Sequence, residues 1–522
     1  MATLLDLLGK GYFPRELPPP FNTESFASYA TGAGALWNKS ARTRCGAHNL
    51  ARPGGLRRPL KIPNPTAYFV LAEILSKNWP VVRHHTWRER LSASRPYLMK
   101  ASSRAVVPRY GYGELPRLRA LRRRATRYLL HTDINQFYPT LYTHTICWAL
   151  DTKLACKAAL STPGKGNQFL GNQIDKALQG MNDGQTHGIP IGPDASLVVA
   201  EILLAAVDHE LLQRGTGLVR GFRYVDDYEL SFSKLSDAEQ VLAELQGILA
   251  SYELHLNPRK TRVEELPKPL EDTWGAELGR FSVRGPGSPV GQRNDFIALL
   301  SRALEIASSR PEESVLKYAV SRLQNERVHA NGWHAFQNCI LGAVSADAST
   351  IAVALGTLHQ AATSGGHAVS KFPLAETFET IIDRHARRGE GSEVAWALWG
   401  ALAWAIPMSS AAAHSVSTME DDVVALLALD ADARGLFPTA SLNKQAWTAM
   451  ANQSDVLEGE HWLLAYEANQ QGWISCPAVA GDRAFFAMSQ AAISFYDPSR
   501  NRPQFPVAAR GFPGGSLPHY YA

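Results

Sequence analysis

The chain has 522 residues, of which 45% are hydrophobic, and this length supports two buried cores. Its net charge of +5 is unevenly spread, because residues 1–132 hold 23 Lys and Arg against 6 Asp and Glu; the basic front half suits phosphate-bearing partners, whereas the acidic remainder would repel a nucleic-acid backbone. The sequence has neither a run of about 20 apolar residues nor a signal-peptide pattern, so we expect a cytoplasmic protein with no membrane partner.

The cysteines predict a reducing compartment. No two of them form a Cys-x-x-Cys pair. Scattered thiols are typical of buried, reduced side chains, and their spacing argues against both a zinc site and disulfides. The five are Cys45, Cys147, Cys156, Cys339 and Cys476.

The first 127 residues are basic and punctuated by proline. Residues 11–20 contain too many prolines for a helix, which predicts an extended arm lying on another surface. A helix is predicted at residues 68–76. Residues 117–127 carry six arginines at close spacing, and these cannot all face one way on a helix, so many of them are expected to be ordinary solvated side chains.

Three carboxylates follow predicted strands in the middle of the chain. The apolar strand at residues 128–134 ends near Asp133, and the aromatic hairpin at residues 221–232 carries Asp226 and Asp227 at its turn. Adjacent carboxylates repel each other unless a cation lies between them, although Asp is also an ordinary residue of solvated turns. Pairing of the strands would bring the three together, which predicts a two-Mg²⁺ site for in-line phosphoryl transfer.

Two further segments accompany these strands. Residues 185–196 hold glycines before an apolar helix at residues 197–209; glycine there lets backbone approach a ligand closely, and the alternative is a plain loop with a serine helix cap. An amphipathic helix is predicted at residues 236–254, and the turn after it carries Lys260. Taken alone, that lysine would be a surface charge.

The second half of the chain is predicted to be α-helical. Residues 284–289, rich in Gly and Pro, form the clearest linker. Beyond it, Ala and Leu at helical spacing predict an α-helical array resembling HEAT repeats, although no strict repeat period is visible. The tail at residues 501–522 is rich in Pro and Gly and is predicted to be draped or disordered. The predicted helices span residues 296–308, 314–324, 333–344, 349–362, 374–388, 392–405, 421–429, 444–451, 461–470 and 482–495.

The motifs in the middle of the chain resemble those of a reverse transcriptase palm. Asp133 with an aromatic residue five positions later, Tyr-Val-Asp-Asp at residues 224–227 and Leu-Asn-Pro-Arg-Lys-Thr at residues 256–261 resemble motifs A, C and D. The sequences at residues 137–144 and 188–193 resemble those of the bacterial abortive-infection and unknown-group defence reverse transcriptases. The resemblance covers about the first half of the chain.

This resemblance implies an α+β right-hand polymerase followed by an all-α, HEAT-like helical repeat domain. Residues 1–127 would form the N-terminal arm and fingers, residues 128–283 the palm, residues 290–500 the helical repeat domain and residues 501–522 the tail. The sequence shows no basic thumb helix and no second, RNase H-like carboxylate cluster after the palm. We therefore expect the product to be held differently, for example inside a homo-oligomer.

The resemblance also implies roles for the motif A and motif C residues. Asp133, Asp226 and Asp227 would bind two Mg²⁺ ions together with the backbone carbonyl of Ile134. Tyr138 would close the sugar pocket against a 2′-hydroxyl, which favours dNTPs over rNTPs. The alternative for Tyr138 is a buried ring packed on the palm helix.

The remaining implied roles concern nucleotide binding. Lys260 would donate a proton to the pyrophosphate leaving group, and Arg104 of the fingers is the candidate triphosphate contact. Gly192 and Ser196 keep the motif B spacing for dNTP binding. Ile191 takes the place of the usual motif B glutamine, which puts ordinary template handling in doubt.

We therefore expect a bacterial DNA polymerase of the reverse transcriptase type in antiphage defence, with dNTPs and product DNA as its partners. The altered motif B and the missing thumb favour synthesis without a template, primed by a tyrosine of the protein; the candidates are Tyr12, Tyr29, Tyr520 and Tyr521. Two alternatives stay open. One is templated cDNA synthesis on a partner noncoding RNA, and the other is a non-catalytic RNA-binding scaffold whose helical array recruits an effector.

Overall fold

The structure is a computed structural model, and it describes residues 4–32, 42–99, 102–162, 168–214 and 220–501. Tyr520, Tyr521 and the rest of the predicted tail beyond residue 501 lie outside the described residues. Within those ranges, no helix combines the length and the apolar character that crossing a membrane requires.

The described strands form two small hairpin sheets and one four-stranded sheet. They are β1 (Gly46–Ala51), β2 (Arg57–Ile62), β3 (Pro96–Leu98), β4 (Val106–Pro108), β5 (Tyr128–Asp133), β6 (Arg220–Tyr224), β7 (Asp227–Phe232) and β8 (Arg262–Glu265). The four-stranded sheet has the order β6-β7-β5-β8 and is antiparallel throughout. Its two central strands, β7 and β5, are the strands predicted to carry the carboxylates.

α-Helices accompany this sheet in the first half of the chain. Up to residue 279 they are α1 (Leu4–Gly9), α2 (Glu24–Gly32), α3 (Pro65–Lys77), α4 (Trp79–Trp87), α5 (Leu115–Arg122), α6 (Phe137–Thr140), α7 (Thr145–Leu150), α8 (Lys153–Leu160), α9 (Leu170–Met181), α10 (Asp194–Arg214), α11 (Leu235–Ser251) and α12 (Thr273–Gly279). α11 packs against β5 and β7, and α10 is buried along most of its length. The helices predicted at residues 68–76, 197–209 and 236–254 are confirmed as α3, α10 and α11.

The second half is α-helical, as predicted. Its helices are α13 (Pro289–Ser309), α14 (Val315–Arg322), α15 (Trp333–Ala346), α16 (Ile351–Gly365), α17 (Lys371–Ala386), α18 (Gly391–Trp404), α19 (Ser410–Val416), α20 (Asp422–Ala433), α21 (Gln445–Ala451), α22 (Trp462–Gln470), α23 (Ala478–Gly481) and α24 (Arg483–Gln490). The prediction missed α12, α19 and α23. It also extended the last helix to residue 495, whereas α24 ends at Gln490 and the chain reverses at Ala492, whose φ is +53°.

Helices of the second half stack along the chain. α13 packs on α15, α14 on α16, α15 on α17, α16 on α18, α17 on α19, α18 on α20, and α20 on α22. Packing on the helix two positions further along is typical of a helical array. Helix lengths vary from 4 residues in α23 to 21 residues in α13, so the HEAT-like label stays a prediction.

The N-terminal arm, which we define as residues 11–22, packs on the end of this array. It contains neither helix nor strand, as its prolines predict, but it is flanked by α1 and α2 and is not simply extended. Phe21 forms a β-bridge with Tyr496, and the Asn22 N–H donates to the Phe495 carbonyl at 3.1 Å. The two ends of the described chain therefore meet.

The β1–β2 hairpin connects the front half to the helical array. Arg57 donates two hydrogen bonds to the Glu393 carboxylate of α18, at 2.5 and 2.8 Å. At the hairpin tip, a Cβ on Gly54 would lie 3.3 Å from the Cα atom of Glu312, in the connection between α13 and α14. The hairpin thus contacts the array both along its strands and at its tip.

One cysteine prediction is wrong. Cys147 of α7 and Cys156 of α8 form a disulfide. The helices are consecutive and pack against each other, so the two side chains meet although their spacing of nine residues matches no motif. Cys45, Cys339 and Cys476 are free thiols.

Candidate active site

The sheet brings the three predicted carboxylates together. Asp133 is the last residue of β5 and stands opposite Asp227, the first residue of β7, in the antiparallel register. Asp226 precedes Asp227 in the turn, and its carbonyl accepts a hydrogen bond from the Ile134 N–H at 3.2 Å. Residues from two distant parts of the chain therefore share one end of the sheet.

The turn that carries Asp226 is strained. Tyr224 and Asp227 pair at the ends of β6 and β7, which leaves Val225 and Asp226 as a two-residue loop. Val225 has φ +54°, a left-handed conformation that tight hairpin turns usually give to glycine or asparagine. For a β-branched residue this conformation costs about 1–3 kcal/mol, and such strain is typical of functional sites.

The acidic side chains perturb one another. Burial raises the pKa of Asp226 to about 6, and repulsion from Asp133 adds to the rise. Burial raises the pKa of Asp227 to about 8, and both neighbouring carboxylates raise it further. Holding three carboxylates together without a cation is therefore unfavourable.

Lys260 is the cation that the structure places among them. Its ammonium donates a hydrogen bond to Asp133 Oδ2. The turn before it is fixed because the Lys260 N–H donates to the Asn257 carbonyl at 3.1 Å and Thr261 Oγ1 to the same carbonyl at 2.8 Å. Burial lowers the pKa of Lys260, but the hydrogen bond to Asp133 and the nearby carboxylates outweigh burial and raise it.

These residues fit a hard divalent cation. They supply oxygen ligands, which Mg²⁺ prefers, and the repulsion that raises the pKa values of Asp226 and Asp227 is what a cation would relieve. When bound, such a metal polarises phosphoryl oxygens and lowers the pKa of an attacking hydroxyl.

Comparison with known proteins agrees with this geometry. Residues 86–280 match the family described as reverse transcriptase (RNA-dependent DNA polymerase). These residues form a reverse transcriptase domain. The domain places the protein in the enzyme class of RNA-directed DNA polymerases. No curated protein matches the chain.

Solved structures of telomerase are similar to the chain at low sequence identity. Telomerase from Candida albicans, in complex with a TWJ fragment of telomeric RNA, is 13% identical, with a TM-score of 0.30 over 71% of this chain and 67% of that chain. Apo telomerase from Candida tropicalis is 11% identical, with a TM-score of 0.32 over 77% of this chain and 71% of that chain.

Tyr138 lies beside motif B of the reverse transcriptase domain. It is in α6 directly after motif A, is 6% exposed and packs edge-on against Phe137. Its carbonyl accepts a hydrogen bond from the Ile189 N–H at 3.0 Å. This contact joins motif A to the motif B loop, and Tyr138 has the burial that the packing alternative predicted.

Arg104, the predicted triphosphate contact, lies in an ion pair with a buried carboxylate, and its role at the triphosphate stays a prediction. Its guanidinium donates to Asp194 Oδ1 at 2.8 and 2.6 Å and to the carbonyls of Phe13 and Gly192 at 2.7 and 3.1 Å. Burial raises the pKa of Asp194, and Arg104 opposes this rise. The guanidinium thus compensates the charge of a buried carboxylate. Arg104 therefore ties the reverse transcriptase domain to the N-terminal arm.

Both predicted motif B residues are covered by protein. Ser196 is 1% exposed inside α10, so it is a buried helix residue, and its contact with a dNTP stays a prediction. Gly192 has φ +130°, and a Cβ there would lie 2.5 Å from Pro14 Cγ. The open face of this glycine is thus covered by Pro14 of the N-terminal arm, and its contact with a dNTP stays a prediction.

Several arginines predicted for the fingers are in ion pairs. Arg119 and Arg123 bind Glu229 of β7 at 2.7 and 2.9 Å, beside the reverse transcriptase site. The sequence prediction missed Arg58 of β2, whose charge opposes the rise in the pKa of Asp226. The alternation of side chains along β2 could have indicated Arg58. Because Arg57 faces Glu393, the next residue, Arg58, faces the other way.

The described tyrosine candidates for priming do not lie free near the site. Tyr12 was expected to be free enough to reach it, but this is wrong: Tyr12 is 0% exposed, stacks on Tyr68 with ring centroids 4.3 Å apart, and donates to the Pro63 carbonyl at 2.5 Å. Tyr29 is half-buried in α2. Tyr112, which was not predicted, lies beside the reverse transcriptase site: burial raises its pKa, and Asp227 is among the carboxylates that raise it further.

Proposed function

We propose that the protein is a DNA polymerase of the reverse transcriptase type that adds dNTPs in antiphage defence. The observation that carries this proposal is the convergence of Asp133, Asp226, Asp227 and Lys260 at one end of the sheet, within a matched reverse transcriptase domain. The defence setting rests on the resemblance of residues 137–144 and 188–193 to defence-associated enzymes.

The chemistry follows from these side chains. Asp133, Asp226 and Asp227, with the Ile134 carbonyl, would hold two Mg²⁺ ions. A hydroxyl oxygen forms a bond to the α-phosphorus while the bond to pyrophosphate breaks. Lys260 supplies a proton to the leaving pyrophosphate, since its ammonium already lies at the carboxylates and is protonated at neutral pH.

We also propose that synthesis proceeds without a template. Pro14 packs on the open face of Gly192, where motif B glycine would otherwise admit a template base or nucleotide. Arg104 and Asp194 fix the arm there, because the Asp194 N–H also donates to the Gly11 carbonyl at 2.8 Å. A bulky template strand has little room at this face.

We further propose that a tyrosine of the protein primes synthesis. A priming tyrosine needs a hydroxyl that reaches the carboxylates, and Tyr12 lacks this access. Tyr112 lies within electrostatic reach of Asp227, and its ring packs edge-on against Tyr224 with centroids 6.3 Å apart. We propose Tyr112 as the first residue to test; Tyr29 stays a candidate, as do Tyr520 and Tyr521, for which the structure gives no placement.

Templated cDNA synthesis on a partner noncoding RNA is the second candidate function. The matched family is RNA-dependent, which favours it. In either case the partners are dNTPs, product DNA and, where a template is used, RNA. We also propose that a homo-oligomer holds the product, because the helical array follows the reverse transcriptase domain directly, where a thumb would otherwise hold it.

The test measures incorporation of labelled dNTPs with Mg²⁺ by the purified protein. Wild type is compared with Asp226→Ala combined with Asp227→Ala, and with Glu239→Ala, an exposed acidic residue of α11, as the control. We expect the double variant to lose at least about 10³-fold in rate and the control to match wild type. If wild type does not incorporate dNTPs, or if the double variant defends cells equally well, the protein is a scaffold.

Nuclease and protease treatment separates the two modes of synthesis. Product that persists after RNase pretreatment and is released only by protease supports untemplated, protein-primed synthesis. Loss of product after RNase pretreatment supports templated synthesis. Tyr112→Phe should abolish the protein-attached product if its hydroxyl is the primer, whereas Tyr97→Phe, an exposed ring of β3, should not.

A further inference from the structure

The backbone of Val225, at the strained turn, is held from both sides by buried side chains. Its N–H donates to Ser94 Oγ at 2.7 Å, and its carbonyl accepts from Arg223 Nη1 at 2.7 Å. Both polar groups of a residue with φ +54° are therefore fixed by hydrogen bonds to side chains, one from a distant segment and one from two residues earlier in the chain.

A single carboxylate joins these two side chains. Glu201 of α10 accepts from Arg223 Nη1 and Nη2 at 2.8 and 3.1 Å, and it also accepts from Ser94 Oγ at 2.7 Å. Asp208, about two turns further along the same face of α10, accepts from Arg223 Nε and Nη2 at 3.0 and 2.7 Å. The cluster thus links three separate segments of the chain.

The cluster is closed to water. Arg223, Glu201 and Ser94 are 0% exposed and Asp208 is 1% exposed. Buried charges are stable only with a complete set of well-placed partners, so this cluster has one favourable geometry. Because Ser94 and Arg223 hydrogen-bond the Val225 backbone, the cluster also fixes the conformation of the turn that carries Asp226 and Asp227.

We propose that Ser94 and Arg223 are positioning residues that hold Val225 in its left-handed conformation and thereby set the places of Asp226 and Asp227 relative to Asp133. A cluster that only stabilised the fold would have no need to bind both sides of Val225. The inference rests on the proposed function, because it concerns the geometry of the carboxylates that would hold the metal.

The test compares two serine variants. Ser94→Ala removes the acceptor of the Val225 N–H and leaves the pairs of Arg223 with Glu201 and Asp208 in place. Ser92→Ala is the control: Ser92 is also buried, donates to Glu201 at 2.8 Å and hydrogen-bonds Ser94, but makes no hydrogen bond to Val225. Binding of Mn²⁺ is measured by electron paramagnetic resonance without nucleotide, and kcat and KM for dNTPs are measured with Mg²⁺.

We expect Ser94→Ala to weaken Mn²⁺ binding and lower kcat by about tenfold each, with KM for dNTPs changed less than about twofold, as for other residues that orient metal ligands. Ser92→Ala should change Mn²⁺ affinity less than about twofold. Equal effects of the two variants on Mn²⁺ affinity would overturn the inference. If wild type binds Mn²⁺ but incorporates no dNTPs, the proposed function fails while the Mn²⁺ comparison still decides the inference.

A second variant pair tests the mechanism directly. Glycine adopts positive φ without steric cost, so Val225→Gly reduces the need for the clamp. In the Val225→Gly background, Ser94→Ala should weaken Mn²⁺ binding by less than about threefold. Persistence of the full tenfold effect would show that Ser94 does not act through the conformation of residue 225, and the inference would be wrong.

Discussion

The Lys260 ammonium hydrogen-bonds Asp133 Oδ2 across the end of the sheet, joining the last strand residue of motif A to the turn that follows α11. A lysine in this place compensates the charge of the carboxylates. Its side chain is half-exposed, so under the proposed function it would have room to turn towards a leaving pyrophosphate.

Lys260→Met is therefore expected to lower kcat by about 10²- to 10³-fold, in the range of general acid catalysis, with little change in KM for dNTPs. The pH profile of kcat should also lose its alkaline limb. Lys268→Met is the control, because Lys268 forms a surface ion pair with Glu264 at 2.9 Å. Equal rates for the two variants would remove Lys260 from the mechanism.

The sequence predicted the carboxylate site because its signals are local. A strand that ends in Asp133 and a hairpin that carries Asp226 and Asp227 can pair in few ways, and antiparallel pairing places all three at one end. Helical spacing likewise predicted most of the second half. The pairing of Arg104 with Asp194 could not be predicted, since it depends on which of many cations reaches a buried carboxylate 90 positions away.

The burial of Tyr12 escaped prediction for a related reason. A proline-rich segment excludes a helix, but it does not specify which surface receives it. The arm is buried because Phe21 and Asn22 pair with the last described strand-like segment at Phe495 and Tyr496, a contact between opposite ends of the chain. The Cys147–Cys156 disulfide was missed because it follows helix packing and no spacing motif.

Without metal, stability should fall as the pH rises from about 4 to about 8. The folded protein keeps protons on Asp226 and Asp227, with pKa values of about 6 and about 8, whereas the unfolded chain releases them near pH 4. Folding thus binds protons in this range, and the loss of stability is on the order of 5 kcal/mol between pH 5 and pH 8. The measurement is the urea unfolding midpoint against pH.

Two comparisons check the origin of this dependence. Asp226→Asn combined with Asp227→Asn should flatten it, and saturating Mg²⁺ should restore stability at pH 8 in wild type alone. Asp295 should have the opposite pH dependence, which Asp295→Asn would remove. The hydrogen bonds from Arg284 hold the pKa of Asp295 at about 2, so the stability that this carboxylate contributes is lost only as the pH falls through that value. A double variant with unchanged pH dependence would contradict the assignment.

Arg104→Ala should reduce stability by about 3 kcal/mol, because it leaves the buried Asp194 carboxylate without its cation. Arg109→Ala is the matched control, since its guanidinium packs over the exposed ring of Tyr97. The measurement is the free energy of unfolding together with KM for dNTPs. A rise in KM without a loss of stability would support Arg104 as a triphosphate contact.

The contact of Pro14 with Gly192 predicts how the arm controls template use. Pro14→Gly removes the side-chain atoms that lie 2.5 and 2.9 Å from the position of a Cβ on Gly192, and so opens this face of motif B. We expect the variant to extend a primer on a homopolymer RNA template about tenfold better than wild type, which corresponds to about 1.4 kcal/mol of additional template binding. Untemplated incorporation should stay near the wild-type rate.

Pro19→Gly makes the same change elsewhere in the arm and controls for general loosening of the segment. If both variants use the template equally, the arm does not exclude it through Gly192, and the templated mode of synthesis becomes the better account of the enzyme.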